Sequence, residues 1–307
     1  LDDVNNSLKS KSGTTLDMPL SAVIRYMTMN TGLYFSLSMP EQEEMDKVVV
    51  DGKEYYVDEN DSVDKVIKEA NVDKVVHCAA WTAVDLAEEK EELCRKVNAN
   101  GTENIAKVCK ELDIPMIYFS TDYVFDGQGT RPWEPDDPVV KPLNVYGQTK
   151  YEGELAVQNT VDKYFIVRIA WVFGENGKNF VKTMLRLGLE QSETKVVCDQ
   201  IGTPTYALDL AKAIYKILTS HQWVEGIFHF SNEGACSWYD FAKSIHRIAN
   251  VSECKIIPIS TEDYQTMAKR PFYSILDKTR IKATYGIDIP YWEDSLFNCI
   301  NRIINEK

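Results

Sequence analysis

Tyr146 and Lys150, separated by Gly-Gln-Thr, are the pair in this chain best suited to proton transfer. On a helix, positions i and i+4 share one face, a single turn apart. A lysine ammonium beside a phenol lowers the phenol's pKa, so the phenol can exchange a proton with a carbonyl or alcohol nearer neutral pH. Alone the pair is a weak signal, because Tyr and Lys at this spacing also make an ordinary solvated helix face. A second group supports it. A run that reads as a buried strand ends in Ser120-Thr121-Asp122-Tyr123-Val124-Phe125-Asp126-Gly127, which sets polar side chains at the carboxyl end of a strand, where doubly wound sheets bind ligands. Thr121 could hydrogen-bond the carbonyl that Tyr146 protonates; the plainer alternative is that Thr121 and Asp122 only cap the strand and form a turn. An earlier strand ends in His77-Cys78-Ala79-Ala80-Trp81-Thr82-Ala83-Val84-Asp85. Small residues there let a flat cofactor approach the backbone, and they serve equally well for packing a helix on a sheet.

These residues need elements to hold them. From residue 72 onward short apolar runs alternate with segments of helical period. VDKVVHCAA (72–80), PMIYFS (115–120), YFIVRIAWVF (164–173), KVVCD (195–199) and IFHFS (227–231) are β-branched and aromatic, as buried parallel strands are. Helices are expected over 91–112, 144–159, 179–187 and 207–220, and Ser237 with Asp240 reads as the N-terminal cap of SWYDFAKSIHRIAN. The alternation predicts an α/β fold with a doubly wound, mostly parallel sheet of Rossmann type. The C-terminal third is richer in Pro and loops and reads as a smaller substrate lobe over one end of that sheet. The expected division is residues 1–170 with 206–231 for the cofactor, and 171–205 with 232–307 for the substrate. In the first 62 residues, LDDVNNSLKSK reads as a helix, SAVIRYMTM as a strand or helix, and VVVDGKEYYV as a hairpin turning at Asp51-Gly52.

Composition narrows the function classes. With 34 Lys+Arg against 47 Asp+Glu the formal charge of the 307 residues is −13, so nucleic-acid backbones and anionic membranes are poor partners. Hydrophobic residues make up 44% and charged residues 26%, the balance of a folded chain rather than a disordered one. No apolar run approaches the roughly 18 residues of a membrane span, and the polar N-terminus does not read as a signal peptide. Seven cysteines, without a CxxC, read as free thiols in a reducing cytoplasm. Four dispersed histidines suggest no metal site.

Seven segments in order, HCAAWTAVDLAEE (77–89), VNANGTENIA (97–106), STDYVFDG (120–127), KPLNVYGQTKYEGE (141–154), VRIAWVFG (167–174), DQIGTPT (199–205) and RPFYSILD (270–277), together resemble the dTDP-4-dehydrorhamnose reductase family of extended short-chain dehydrogenases/reductases. The resemblance implies NADPH-dependent, or NADH-dependent, reduction of the C4 ketone of dTDP-4-dehydro-L-rhamnose to dTDP-L-rhamnose. It implies that Tyr146 is the catalytic acid, that Lys150 tunes the phenol and holds the nicotinamide ribose, and that Thr121 polarises the C4 carbonyl. Ala79, Ala80, Trp81, Thr82 and Asn98 match positions near the cofactor. Val84, Asp122 and Trp171 match the sugar side, with Trp171 equally readable as core. Gln200, Arg270 and Ser274 match positions around the nucleotide and the lobe interface, where Arg270 could grip a diphosphate or form an inter-lobe ion pair. The partners implied are a dTDP-sugar and a second copy of the chain in a homodimer.

The sequence departs from the pattern in three places. Trp81 stands where the family usually has Tyr, and Tyr273 where it has Asn. Only Gly13, Gly32 and Gly52 of the 15 glycines fall in the first hundred residues, so the family's first strand and glycine-rich, pyrophosphate-binding turn are expected to be absent or replaced, as in a sequence lacking its N-terminus. Asp58 is a candidate for the adenosine edge, against its plainer reading as an acidic loop residue. Two other function classes compete: a non-catalytic NADP-binding subunit resembling the regulatory beta subunit of methionine adenosyltransferase, and a nucleotide-sugar epimerase, dehydratase or other 4-ketoreductase. The triad of Thr121, Tyr146 and Lys150 favours an enzyme, and Tyr123 after Asp122, where dehydratases place Glu, disfavours elimination.

Overall fold

The computed structural model describes residues 47–50, 53–56, 67–68 and 72–305. Strands β1 (Lys47–Val50) and β2 (Lys53–Tyr56) pair antiparallel with Val50 opposite Lys53, as the expected hairpin requires. Its turn, Asp58, the two elements expected before residue 31 and the question of a glycine-rich turn all fall outside the described residues. The main sheet is parallel and contains β3 (Val75–His77), β4 (Met116–Thr121), β5 (Tyr164–Ile169) and β10 (Gly226–Phe230), in the order β10-β5-β4-β3.

Side chains on these strands alternate between two helical layers, which is why the strands read as unbroken apolar runs. Ile117, Phe119, Phe165, Val167, Phe228 and Phe230 meet Leu210, Ile214 and Ile217 of the Ala207–Leu218 helix on one face. Met116, Tyr118 and Ile166 meet Ala106 and Cys109 of the Thr102–Glu111 helix and Val157 of the Val145–Thr160 helix on the other. The sheet is therefore covered on both sides, as the alternating pattern predicted. The Val145–Thr160 helix starts where Asn144 Oδ1 accepts from the Gly147 N–H at 2.8 Å. The expected capping box forms at Ser237 and Asp240 ahead of the Trp238–Ile248 helix.

Three expectations are modified. The run 164–173 is not one strand: it breaks at Trp171 (φ 48°) into β5 and β6 (Val172–Phe173). A left-handed backbone under an indole is strained, by about 1–3 kcal/mol, and here the Trp171 carbonyl accepts from the Thr205 N–H at 3.1 Å to start the pairing of β6 with β9 (Thr205–Tyr206). The helix over 91–112 contains a wider, π-type turn at Lys96–Gly101 between Glu91–Arg95 and Thr102–Glu111. The strand at KVVCD, β7 (Glu193–Val197), lies outside the main sheet and pairs in parallel with β12 (Lys255–Ile259).

That pair, with β8 (Ile201–Gly202) antiparallel to β11 (Cys236–Ser237), belongs to a second core built from Phe173, Val181, Val196, Phe241, Ile245, Ile256 and Leu296. Ile281, Tyr285, Ile287 and Ile289 return to the core of the main sheet, although the sequence grouped them with the lobe. Among the described residues no helix is long and apolar enough to cross a membrane, no disulfide forms, and no group of His, Cys, Asp and Glu is placed to hold a metal.

Candidate active site

A cavity of about 310 Å³ lies beyond the carboxyl ends of β3, β4 and β5, closed on its far side by β6 and the start of the Trp238–Ile248 helix. Ala80, Thr82, Val84, Thr121, Asp122, Tyr146, Lys150 and Trp171 all line it. The chain thus brings together residues up to 91 positions apart in sequence, from Ala80 to Trp171, at the edge where parallel sheets bind ligands. A more open hollow of about 510 Å³, between the Ala207–Leu218 helix and the Trp292–Asn305 helix, contains none of them.

Thr121 ends β4. Its hydroxyl accepts from the Tyr123 N–H at 3.2 Å, donates to Asp122 Oδ1 at 3.0 Å, and lies beside the Tyr146 phenol. Thr121 therefore caps the turn, as the plainer alternative had it, and its hydroxyl also lies beside the phenol. Gly147 is what lets the helix come this close: a Cβ there would sit 2.2 Å from the Tyr123 carbonyl oxygen.

The expected lowering of the Tyr146 pKa is not found. Burial raises it above the usual value for a phenol, with Thr121 opposing the rise. Lys150 Nζ lies over the Tyr118 ring, 4.1 Å from its centroid, and burial depresses the Lys150 pKa to about 7, against the pull of Glu154. Both groups leave water, and burial disfavours the charged form of each more strongly than their proximity on one helix face favours it. Asp122 is affected in the same way: burial pushes its carboxyl up to about 7, although the Thr121 and Ser274 hydroxyls favour the ionised form.

Other predicted residues act from behind the wall. Asn98, on the π-type turn and fully buried, accepts from the Trp81 N–H at 2.7 Å and donates to the Trp81 carbonyl at 3.2 Å and to Thr149 Oγ1 at 3.1 Å. It ties the loop after β3 to the helix carrying Tyr146, and neither it nor Trp81 reaches the cavity lining. Ala79 is exposed beside that loop. Gln200 is buried and donates to Thr261 Oγ1 at 3.1 Å, away from the cavity. Ser274 is buried behind Trp171, and a Cβ on Gly202 would meet both, at 2.6 and 2.7 Å. Arg270 forms an ion pair: Nη1 and Nη2 each reach an Asp85 carboxylate oxygen at 2.6 Å.

Sequence reasoning missed Trp238, Ser120 and Asn179. Trp238 stacks on Trp171, ring centroids 3.6 Å apart and planes within 12°, and lines the cavity; its only sequence signal was its place directly after the Ser237 cap. Asn179 lines the cavity while capping the Phe180–Glu190 helix. Thr82 Oγ1, Ser120 Oγ and Asp122 Oδ2 are buried without a hydrogen-bond partner on the same cavity. Unpaired polar atoms are rare in buried positions, and three converging on one cavity fit a site for a polar ligand.

Comparison with known proteins agrees with this architecture. The RmlD substrate binding domain matches residues 37–305. The spore coat polysaccharide biosynthesis protein SpsK of Bacillus subtilis (strain 168) is 40% identical over 224 residues, covering 73% of this chain and 77% of the relative. The dTDP-4-dehydrorhamnose reductase of Sinorhizobium fredii (strain NBRC 101917 / NGR234) is 40% identical over 237 residues, covering 75% of this chain and 80% of the relative. Among solved structures, the dTDP-4-dehydrorhamnose reductase of Bacillus anthracis str. Ames in complex with NADP superimposes with a TM-score of 0.74 at 40% identity, over 80% of this chain and 84% of that one.

Proposed function

Because this chain belongs to the dTDP-4-dehydrorhamnose reductase family, we propose that it reduces the C4 ketone of dTDP-4-dehydro-L-rhamnose to dTDP-L-rhamnose with NADPH. The observation that carries the reading is the convergence of Thr121, Tyr146 and Lys150 on one cavity at the carboxyl edge of the sheet. The residues present fit the nicotinamide half of the cofactor: Ala80 leaves room for a flat ring, and the unpartnered Thr82 and Ser120 hydroxyls can bind its polar edge. The solved relative that holds NADP favours NADPH over NADH.

When bound, NADPH supplies the hydride for C4. The chain supplies the proton. Tyr146, which burial keeps protonated, gives its phenolic proton to the carbonyl oxygen as negative charge develops there, and the Thr121 hydroxyl donates to the same oxygen. Lys150, on the same cavity, would hold the nicotinamide ribose and, when charged, stabilise the phenolate left behind. Val84 and the Trp171–Trp238 stack form the apolar wall for the deoxysugar, with Asp122 as its polar contact. Ser274 holds that wall from behind, Gln200 fixes the neighbouring loop through Thr261, and Arg270 is the group for the diphosphate, which must draw it from Asp85. Ala79, Trp81 and Asn98 shape the cofactor loop.

Among the described residues, those up to 170, with 206–231, form the cofactor domain; 171–205 and 232–305, apart from the 281–289 segment, form the substrate lobe. The working location is the cytoplasm. The exposed Leu93 and Leu155, on the packed Glu91–Arg95 and Val145–Thr160 helices, suit a homodimer contact. The test is NADPH absorbance with dTDP-4-dehydro-L-rhamnose. Tyr146→Phe is expected to lower kcat by roughly 10²–10⁴-fold while NADPH still binds. A wild-type protein that binds NADPH but leaves this substrate unreduced would refute the assignment.

A further inference from the structure

Lys150 is buried, with 2% of its surface exposed, so its charge must be balanced from within the protein. The groups around it come from four elements. Tyr146 and Glu154 share its helix. Tyr118 of β4 places its ring under Nζ, and its hydroxyl donates to the Lys150 carbonyl at 3.3 Å. His77 and Cys78 face it from the end of β3, and Cys94 from the Glu91–Arg95 helix. Most of these groups are neutral near pH 7. Burial lowers His77 to about 3, raises the Cys78 thiol to about 12, and raises Cys94, Tyr118 and Tyr146. Asp122, on the same cavity wall, is raised to about 7. Glu154 remains as the carboxylate acting on Lys150.

Glu154 is itself fully buried and gripped by Arg168, with Nε to Oε1 at 2.9 Å and Nη2 to Oε2 at 2.7 Å. Arg168 is fixed in turn by the Pro135 carbonyl, at 3.3 Å from Nη1, and by the Phe125 ring, 4.9 Å below its guanidinium. A buried pair of this kind contributes little net stability compared with apolar residues of equal volume, so stability alone is a poor reason for its position behind the active-site lysine.

We propose that Glu154 is a positioning residue for proton transfer: one turn beyond Lys150 on the same buried helix and locked by Arg168, it supplies the negative charge that keeps the Lys150 ammonium charged in the site. The proposal rests on the reading of Tyr146 and Lys150 given above. One carboxylate thereby serves two buried cations, a structural one on β5 and a working one on the helix.

The experiment is the pH profile of kcat/KM, from pH 5.5 to 9, for the wild type, Glu154→Gln and Glu154→Asp. Loss of activity on the alkaline side reports loss of the Lys150 proton in the free protein. In Glu154→Gln that limb should move down by about one pH unit or more, a tenfold fall on the shoulder, with the acid plateau kept within about threefold. Glu154→Asp should return the limb toward the wild-type position. A curve scaled down at every pH but not displaced would overturn the proposal, since lost packing acts that way. If Glu154→Gln fails to fold, the double variant Glu154→Gln/Arg168→Met removes the pair without stranding a buried cation and should displace the limb in the same direction by less, because a cation leaves with the nearer carboxylate; an unmoved limb there also overturns the proposal. The pH dependence of NADPH binding, followed by fluorescence, gives the same displacement independently of turnover. A wild type that binds NADPH but does not turn over thus marks failure of the parent reading, and an unshifted binding curve in Glu154→Gln marks failure of this one.

Discussion

Replacing Gly153 with alanine tests whether the catalytic helix is held in place by direct backbone approach. A Cβ at Gly153 would lie 2.3 Å from Tyr118 Oη and 2.6 Å from the Asn98 carbonyl oxygen, where ordinary contact begins at 3.4 Å. The shortfall is about 1 Å on the first contact and slightly less on the second. Tyr118 is fully buried in the sheet and the Asn98 carbonyl belongs to the π-type turn, so neither can swing aside and the helix must retreat. Overpacking of this kind costs about 1–3 kcal/mol, offset by roughly 1 kcal/mol from the higher helix propensity of alanine. The net expectation is a loss of up to about 2 kcal/mol in denaturant unfolding. The same shift carries Tyr146 and Lys150 out of register with Thr121, and a displacement near 1 Å lowers kcat by about 100-fold. Tyr118→Phe removes the nearest contact and leaves the Asn98 oxygen at 2.6 Å and the ring carbon Cζ at 3.0 Å, so the double variant should recover part of the stability and rate but not all. Gly153→Ala with wild-type stability and rate, or strict additivity in the double-mutant cycle, would show that the helix does not rest on those two oxygens.

Two further outcomes follow from the charged groups of the site. The Asp122 pKa, about 7 folded against 3.8 for the free side chain, means that the folded state holds this proton more tightly than the unfolded one. Stability contributed by Asp122 is therefore present below about pH 4 and lost as pH rises toward 7, by up to about 4 kcal/mol; Asp122→Asn should remove this slope, and urea midpoints at pH 5 and pH 8 that respond identically in variant and wild type would contradict it. Arg270→Ala should raise KM for the dTDP-sugar by about tenfold and alter stability by less than about 1 kcal/mol, because the Asp85 side chain is 44% exposed; an unchanged KM would leave Arg270 as an ion pair alone.

What was legible in the sequence was local. Strand and helix periods follow from side-chain alternation on β4 and β5, and the Tyr146–Lys150 spacing needs only one helical turn, so both survive in the structure. The resemblance pointed to Trp171, which lines the cavity, but no pattern in the chain announces its left-handed backbone or its stack on Trp238, since both depend on strands that meet only after folding. Arg270 shows the same limit from the other side: its type fits a diphosphate and a carboxylate alike, and only the position of Asp85 decides which it meets first. The deepest failure is one of sign. Spacing alone says that a lysine beside a tyrosine lowers the phenol's pKa, yet both side chains are buried, and the environment that brings them together also withdraws the water that would support their charges. Residue spacing therefore placed two side chains that do line one cavity, while the direction of their shifts is set by burial, which Glu154, one turn along the same helix, opposes at Lys150. Burial is a property of packing, which spacing along one helix does not encode.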